Sequence, residues 1–324
     1  MKILVTGCCG FIGYHLILNI LKSGNNQVYG IDNLNHYYDV SLKKDRLDDI
    51  KKKFPKFRFY KIDICDEKKL KNFFSKNKFE CVINLAAQAG VRHSIKEPRS
   101  YLTTNINGFF NILDNCRIFK TNHLIYASTS SVYGNNKRFP LQEDFDTDKP
   151  ESFYAATKKS NELLAYSYSS IYGLKTTGLR FFTVYGPFGR PDMALFKFTK
   201  NISQGKKVEL FNKGDHIRDF TYVDDVVVYI NSLIDKPSKK KVPYQVFNIG
   251  SNNPKSLKYF LRLIERNLNK VSKKKYLPFQ KGDVHRTHAD ITLIRKYTKL
   301  SPKFSIERGI KYFIEWYLKY YKIK

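Results

Sequence analysis

The chain has 324 residues, 42% of them hydrophobic and 27% charged, which is enough apolar material for a sizeable core and excludes wholesale disorder. Its formal net charge is +29, from 58 Lys plus Arg against 29 Asp plus Glu, and no stretch reaches the roughly 18 to 20 consecutive apolar residues of a membrane span. In chain order, residues 2–6 (KILVT) form a short apolar run ending at glycines and read as a buried strand. Residues 14–23 follow with helical spacing of Leu16, Ile17, Ile20 and Leu21. Residues 27–31 read as a second strand ending at Asp32, 57–62 as a third, 81–85 as a fourth and 123–127 as a fifth. Helical patterns over 67–75, 101–119 and 153–172 lie between and after them. A sixth strand is predicted at 176–181, helices at 193–205 and within 220–234, a strand at 245–249, and two helices in the last 75 residues. Alternating strands and helices predict an α/β fold with a doubly wound parallel sheet of the Rossmann kind and a smaller C-terminal substrate-binding lobe. The expected division is 1–180 plus about 219–250 for the dinucleotide-binding domain, with about 181–218 and 251–324 for the lobe.

The five cysteines, Cys8, Cys9, Cys65, Cys81 and Cys116, form no CxxC pair and no metal spacing. No metal is therefore expected, and the sparse, odd set fits a reducing, cytoplasmic setting. The N-terminal MKILVTGCCGFIG lacks the basic cluster of a signal peptide, and its glycines fit a nucleotide loop better. A large positive charge suggests a polyanion partner. Here the lysines are scattered, in KKKFPKFRFYK from Lys51 and again at 239–241 and 273–275, with no nucleic-acid-binding motif beside them. Composition explains the charge better, and neither nucleic acid nor membrane is expected as a partner. The aromatic and lysine-rich final helix is read as packing onto the protein, with Ile306, Ile310, Phe313, Ile314 and Tyr317 on one face.

Two motifs carry chemistry. Gly7, Gly10 and Gly13 sit between the first strand and the first helix, spaced GxxGxxG. Gly7 allows the tight turn, Gly10 the approach of a pyrophosphate, and Gly13 close helix packing. The helix N-terminus adds unpaired N–H groups and partial positive charge. Asp32 stands at the end of the second strand, nineteen residues beyond Gly13, where a carboxylate bonds ribose hydroxyls and repels a 2′-phosphate. NAD rather than NADP is expected. The second motif is Tyr154 and Lys158, one helical turn apart, downstream of the hydroxyl cluster Ser128, Thr129, Ser130 and Ser131 at the end of the fifth strand. A lysine cation beside a tyrosine stabilises the phenolate and fits it for base chemistry.

With these motifs on the page, the sequence resembles the extended short-chain dehydrogenase/reductases, the NAD-dependent epimerase/dehydratase family. Within it the likeness is to UDP-glucuronate 4-epimerases. It is carried by DNLNHYYDVSLKKDRL from Asp32, NLAAQAGVRHS from Asn84, SFYAATKKSNELLA from Ser152, GLRFFTVYGPFGRPDMALFKFTK from Gly178 and RDFTYVDDV from Arg218. The resemblance implies a tightly held NAD, contacted also by Phe11, Ile12, Asn33, Asp63, Ile64, Leu85, Ala86 and Ala87. It implies Tyr154 as the base at the C4 hydroxyl, Lys158 on the nicotinamide ribose and Thr129 on the C4 oxygen. Phe211 matches a uracil-facing position, and Arg218 and Arg286 match arginines that clamp the UDP diphosphate. Homodimerisation through the 101–119 and 153–172 helices and a role in polysaccharide biosynthesis are likewise implied.

Sister enzymes that decarboxylate or dehydrate the sugar carry acids just before the Val-Tyr-Gly of this motif; here Ser130 and Ser131 stand there. Simple epimerisation is the reaction left. Ser130, Ser131 and Thr183 are expected to hold a sugar carboxylate, with Arg92 and Arg190 as further contacts near the sugar. The expected reaction is C4 epimerisation of UDP-glucuronate to UDP-galacturonate through a 4-keto intermediate. The alternative is a 4-epimerase of a neutral UDP-hexose or UDP-N-acetylhexosamine.

Overall fold

The structure is a computed structural model and describes residues 1–24 and 26–323. Six strands follow in chain order: β1 (Lys2–Thr6), β2 (Gln27–Asp32), β3 (Arg58–Lys61), β4 (Cys81–Asn84), β5 (His123–Thr129) and β6 (Thr176–Phe181). With the strand Tyr244–Ile249 they form one seven-stranded sheet, ordered Tyr244–Ile249, β6, β5, β4, β1, β2, β3. Every pairing in it is parallel. This is the doubly wound α/β sheet expected from the alternation of elements.

Strand alternation divides the core into two layers. From β1, Ile3 and Val5 join a cluster with residues of the helices Phe11–Lys22, Val40–Lys53 and Val223–Leu233. Leu4, between them, points into a second cluster with residues of Glu67–Asn77, Phe109–Ile118 and Phe153–Tyr172. A third cluster joins the helices Ala194–Ser203, Leu257–Leu268 and Ile306–Tyr320 with Tyr185, Phe220 and Tyr222. The final helix buries Ile306, Ile310, Phe313, Ile314 and Tyr317, the face its spacing predicts.

Among the helices, three regions differ most from expectation. The helix Val40–Lys53 was not anticipated. Its few apolar residues sit among lysines and aspartates, and its start is fixed by Asp39, whose carboxylate accepts from the Ser41 N–H at 2.9 Å. The pattern over 101–119 is not one α-helix. Pro98–Tyr101 runs into a π-helical stretch, Leu102–Gly108, before Phe109–Ile118. The wider turn brings Asn105 inward, where its Oδ1 accepts from the Gln88 N–H at 2.8 Å and its Nδ2 donates to Thr157 Oγ1 at 3.0 Å. Among the described residues the C-terminal region holds three helices rather than two, Thr292–Thr298 being too short for periodicity to reveal.

The chain passes from β1 outward to β2 and β3, then crosses back to β4 on the other side of β1. Connections diverge at the carboxyl ends of β1 and β4, which opens a crevice there. A cavity of about 820 Å³ runs from this crevice past the end of β5 to the segments around Phe211 and Arg218.

Candidate active site

The glycine loop folds around a backbone that leaves no room for side chains. Gly7 has φ +66°, and a Cβ there would stand 2.8 Å from the Ala86 nitrogen. The Gly10 N–H donates to Gly7 O at 2.9 Å, and Gly10 then begins the Phe11–Lys22 helix with no side-chain cap, leaving the first helical N–H groups free. Thr6 Oγ1 donates to Asn84 Oδ1 at 2.6 Å and accepts from the Ala86 N–H at 3.0 Å, which keeps Leu85, Ala86 and Ala87 beside the loop.

Asp32 closes this end of the cavity. Its carboxylate accepts from the Cys9 N–H at 3.0 Å and the Leu34 N–H at 2.8 Å. Burial pushes the carboxyl up, while the Leu34 N–H, Lys43 and the Cys9 N–H act the other way. Asn33 donates to Asp63 Oδ2 at 2.9 Å, and Ile64 continues the wall. A loop whose glycines leave backbone exposed and whose cysteines are buried, open helical N–H groups and a buried carboxylate fit a dinucleotide whose adenosine ribose carries free hydroxyls. Cys8, Cys9 and Asp32 put three ligand-type atoms within 4.8 Å of one another, which the spacing did not suggest. Both thiols are fully buried, where they pack against the loop and the first helix, and burial pushes the Cys8 thiol up.

At the middle of the cavity, β5 ends at Thr129. Its Oγ1 accepts from the Ser131 N–H at 3.2 Å and so caps the 3-10 turn Ser130–Tyr133. Opposite stands the Phe153–Tyr172 helix, capped by Ser152, whose Oγ accepts from the Ala155 N–H at 3.1 Å. Tyr154 and Lys158 project from its first two turns into the cavity. The Lys158 ammonium is buried and donates to Ala127 O at 2.9 Å; burial brings it down to about 8. Burial pushes the Tyr154 phenol up, opposed by the Arg190 guanidinium and the Thr129 hydroxyl. Arg190 is thus one cation that acts on Tyr154, and Lys158, expected to tune it as well, donates to a backbone carbonyl. Arg190 is itself held by Asp192, with Nε to Oδ1 at 3.0 Å, and Asp192 Oδ2 accepts from Tyr37 at 3.1 Å.

The far end is cationic and aromatic. The half-exposed Arg92 lays its guanidinium 4.3 Å from the Phe211 ring centroid. Asp283 joins the cluster, 2.8 Å from Arg218 Nη2 and 3.8 Å from Arg92 Nη2. Arg218 also donates to Val284 O at 2.6 Å and His285 O at 2.9 Å, which ties the 283–285 strap down beside it.

Gly7, Gly10, Phe11, Ile12, Gly13, Asp32, Asn33, Asp63, Ile64, Leu85, Ala86 and Ala87 line the cavity at one end. Thr129, Ser130, Ser131, Tyr154, Lys158, Thr183 and Arg190 line its middle, and Arg92, Phe211 and Arg218 the other end. Arg286 is not among the lining residues; its guanidinium stacks 4.8 Å from the Phe139 ring centroid. The extended backbone there pairs with Ile217, so successive side chains alternate, and Thr287 faces the cavity in its place. Sequence reasoning passed over Tyr37, Asp192, His216 and Asp283. The first two lie within the stretches that carry the family resemblance. No spacing marks the buried His216, whose ring nitrogens have no hydrogen-bond partner among the described residues, or Asp283.

Comparison with known proteins agrees with this geometry. Residues 3–250 match the model of the NAD dependent epimerase/dehydratase family. Protein CapI of Staphylococcus aureus is 48% identical, covering 99% of this chain and all of that protein. A UDP-glucuronate 4-epimerase of Thermodesulfobacterium geofontis is 44% identical over 97% of this chain and 95% of its own. The crystal structure of UDP-glucuronic acid 4-epimerase from Bacillus cereus, in complex with UDP-glucuronic acid and NAD, superposes with a TM-score of 0.92 at 33% identity, covering 99% of this chain and 100% of that one. The chain belongs to the NAD-dependent epimerase/dehydratase family.

Proposed function

We propose that this protein is an NAD-dependent UDP-glucuronate 4-epimerase, interconverting UDP-glucuronate and UDP-galacturonate through a transient 4-keto sugar. The observation that carries the reading is the meeting of Thr129, Tyr154 and Lys158 midway along one cavity, between a dinucleotide-fitting end and a cationic, aromatic end. The relatives named above support the same substrate and cofactor.

Gly7, Gly10, Gly13 and Asp32 hold the NAD, with Phe11, Ile12, Asn33, Asp63, Ile64 and Leu85 to Ala87 around it. Bound there, NAD supplies a reversible hydride acceptor for the sugar carbon. Tyr154 takes the proton of the C4 hydroxyl and later returns it. Arg190 and the Thr129 hydroxyl already favour its phenolate against burial. Thr129 holds the C4 oxygen. With the cofactor bound, Lys158 would hold its nicotinamide ribose and add a second cation beside the phenolate. Arg92, Phe211 and Arg218 grip the nucleotide, so that the pyranose alone is loose enough to turn between the two hydride transfers.

A 4-ketouronate is a β-keto acid and tends to lose CO₂. At the positions where decarboxylating sisters carry acids, this chain presents Ser130 and Ser131, with Thr183 on the neighbouring wall. These hydroxyls hold the sugar carboxylate, and no side-chain acid is placed there to promote elimination.

The active unit is a homodimer. Phe110 on one helix and Leu163, Tyr166 and Ile171 on Phe153–Tyr172 are exposed apolar residues on the two helices expected to pair. Cytoplasmic synthesis of polysaccharide precursors is the setting that suits such a product. Incubating the purified protein with UDP-glucuronate and separating the nucleotide sugars tests the reading. UDP-galacturonate is expected; turnover of neutral UDP-hexoses alone would replace the substrate assigned here.

A further inference from the structure

The segment Ser128–Tyr133 is tied at both ends to one buried ion pair that lies outside the cavity. At its start, the Ser128 hydroxyl donates to Glu162 Oε1 at 2.6 Å. At its end, the Tyr133 hydroxyl accepts from Arg180 Nη1 at 3.0 Å and donates to Asn248 Oδ1 at 2.6 Å. Arg180 and Glu162 close the loop between these anchors with two parallel bonds of 2.9 Å, from Nε to Oε1 and from Nη2 to Oε2. Arg180 also stacks 4.8 Å from the centroid of the Tyr133 ring and donates to Glu143 O at 3.0 Å. Glu162 and Arg180 are 2% and 4% exposed, and neither they nor Tyr133 line the cavity.

Three of the four residues between the two anchors, Thr129, Ser130 and Ser131, face the chemistry, and the fourth, Val132, is buried in the core. The other parts of the site are referenced to the same pair. Glu162 stands one helical turn beyond Lys158, and Arg180 lies on β6, three residues before Thr183. A buried ion pair is a poor source of stability, because desolvating two charges offsets their attraction. What a bidentate guanidinium–carboxylate pair supplies is fixed relative geometry.

We propose that Tyr133, Arg180 and Glu162 are positioning residues that set how faithfully this enzyme keeps its substrate's carboxylate. The inference rests on the UDP-glucuronate reading above. In the 4-keto sugar, loss of CO₂ breaks the C5–C6 bond. Its electron pair forms the C4–C5 enolate, a proton adds at C5, and the resulting 4-keto-pentose receives hydride at C4 to leave as UDP-pentose. That bond breaks only when it stands out of the carbonyl plane, where its electrons overlap the ketone. Ser130, Ser131 and Thr183 hold the carboxylate in the plane, and the ion pair holds the backbone that carries them. Slack in the anchors becomes slack in the carboxylate.

The test is the ratio of UDP-pentose to UDP-hexuronate formed from UDP-glucuronate, read by mass spectrometry for wild type, Tyr133→Phe and Glu162→Gln. The ratio is independent of how much protein is folded, so a loss of stability alone does not move it. Tyr133→Phe keeps the ring under Arg180 and removes only the bridging hydroxyl. Glu162→Gln keeps an acceptor for Ser128 and removes the charge. The ratio is expected to rise roughly fivefold or more in each, the factor that corresponds to losing about one net hydrogen bond, while UDP binding by calorimetry stays at the wild-type value. An unchanged ratio in variants that turn over UDP-glucuronate overturns this proposal alone. Absence of any UDP-glucuronate turnover by wild type overturns both this proposal and the function it rests on.

Discussion

Thr129 and Ser131 share a reciprocal contact at the end of β5: the Thr129 hydroxyl donates to Ser131 Oγ at 3.2 Å and accepts from the Ser131 N–H at the same distance. One residue thus caps the turn and orients the serine. Ser131→Ala removes a hydroxyl from the proposed carboxylate grip and leaves the cap in place. It is expected to release CO₂ from the 4-keto sugar and raise the pentose product, since a charge-assisted bond of this kind contributes roughly 1.5 to 3 kcal/mol. Mass spectrometry of the products checks it, and a variant that still makes hexuronate alone removes Ser131 from the grip.

Tyr154→Phe is expected to lower turnover by roughly 10²- to 10⁴-fold, the usual cost of losing a general base. UDP affinity should persist, because the nucleotide contacts lie at the far end of the cavity. Turnover near that of wild type would take Tyr154 out of the mechanism.

Lys158 gives a pH signature. Its charge is buried against one carbonyl, and its value in the folded protein lies at about 8 against 10.5 for the free side chain. Below pH 8 both folded and unfolded states hold the proton, and the folded state bears the full cost of the buried charge. Between these values only the folded state gives the proton up, so the cost fades as pH rises and is gone above the unfolded value. In NAD-stripped protein, Lys158→Met should therefore be more stable than wild type at neutral pH, by roughly 1 to 3 kcal/mol. The difference should shrink as pH is raised towards the unfolded value. Denaturant titrations across that range decide it; a variant less stable at every pH contradicts the account.

The purified protein is expected to carry NAD and not NADP. Asp32 is buried at the cofactor end, and two backbone N–H groups occupy only part of its accepting capacity. A 2′-phosphate placed there would meet a carboxylate with no room to withdraw. Chromatography after acid release measures the bound species, and NADP as the main one would remove the role given to Asp32.

Much of this site was legible before the fold. β1, the glycine loop and Asp32 announce themselves because an apolar run, a turn and a strand end each have local signatures. Tyr154 and Lys158 are legible because helical spacing alone brings them to one face. The helix Val40–Lys53 was not, since its few apolar residues are outnumbered by charge. Nor was the π-helical stretch around Asn105, whose side chain pairs with the backbone of Gln88, a partner seventeen residues away. Arg286 shows the limit from the other side: a motif places a residue near a site, but its side of an extended segment is set by pairing, here with Ile217. Arg180 and Glu162 have no signature at all, because an ion pair across two elements appears only when they pack.

The most direct measurement of the central claim is the reaction of UDP-glucuronate with the purified protein in D₂O, followed by mass spectrometry of the separated nucleotide sugars. Transient oxidation at C4 with the carboxylate held predicts UDP-galacturonate carrying no deuterium on carbon and little UDP-pentose. Deuterium at C5, or UDP-pentose as the main product, would contradict it.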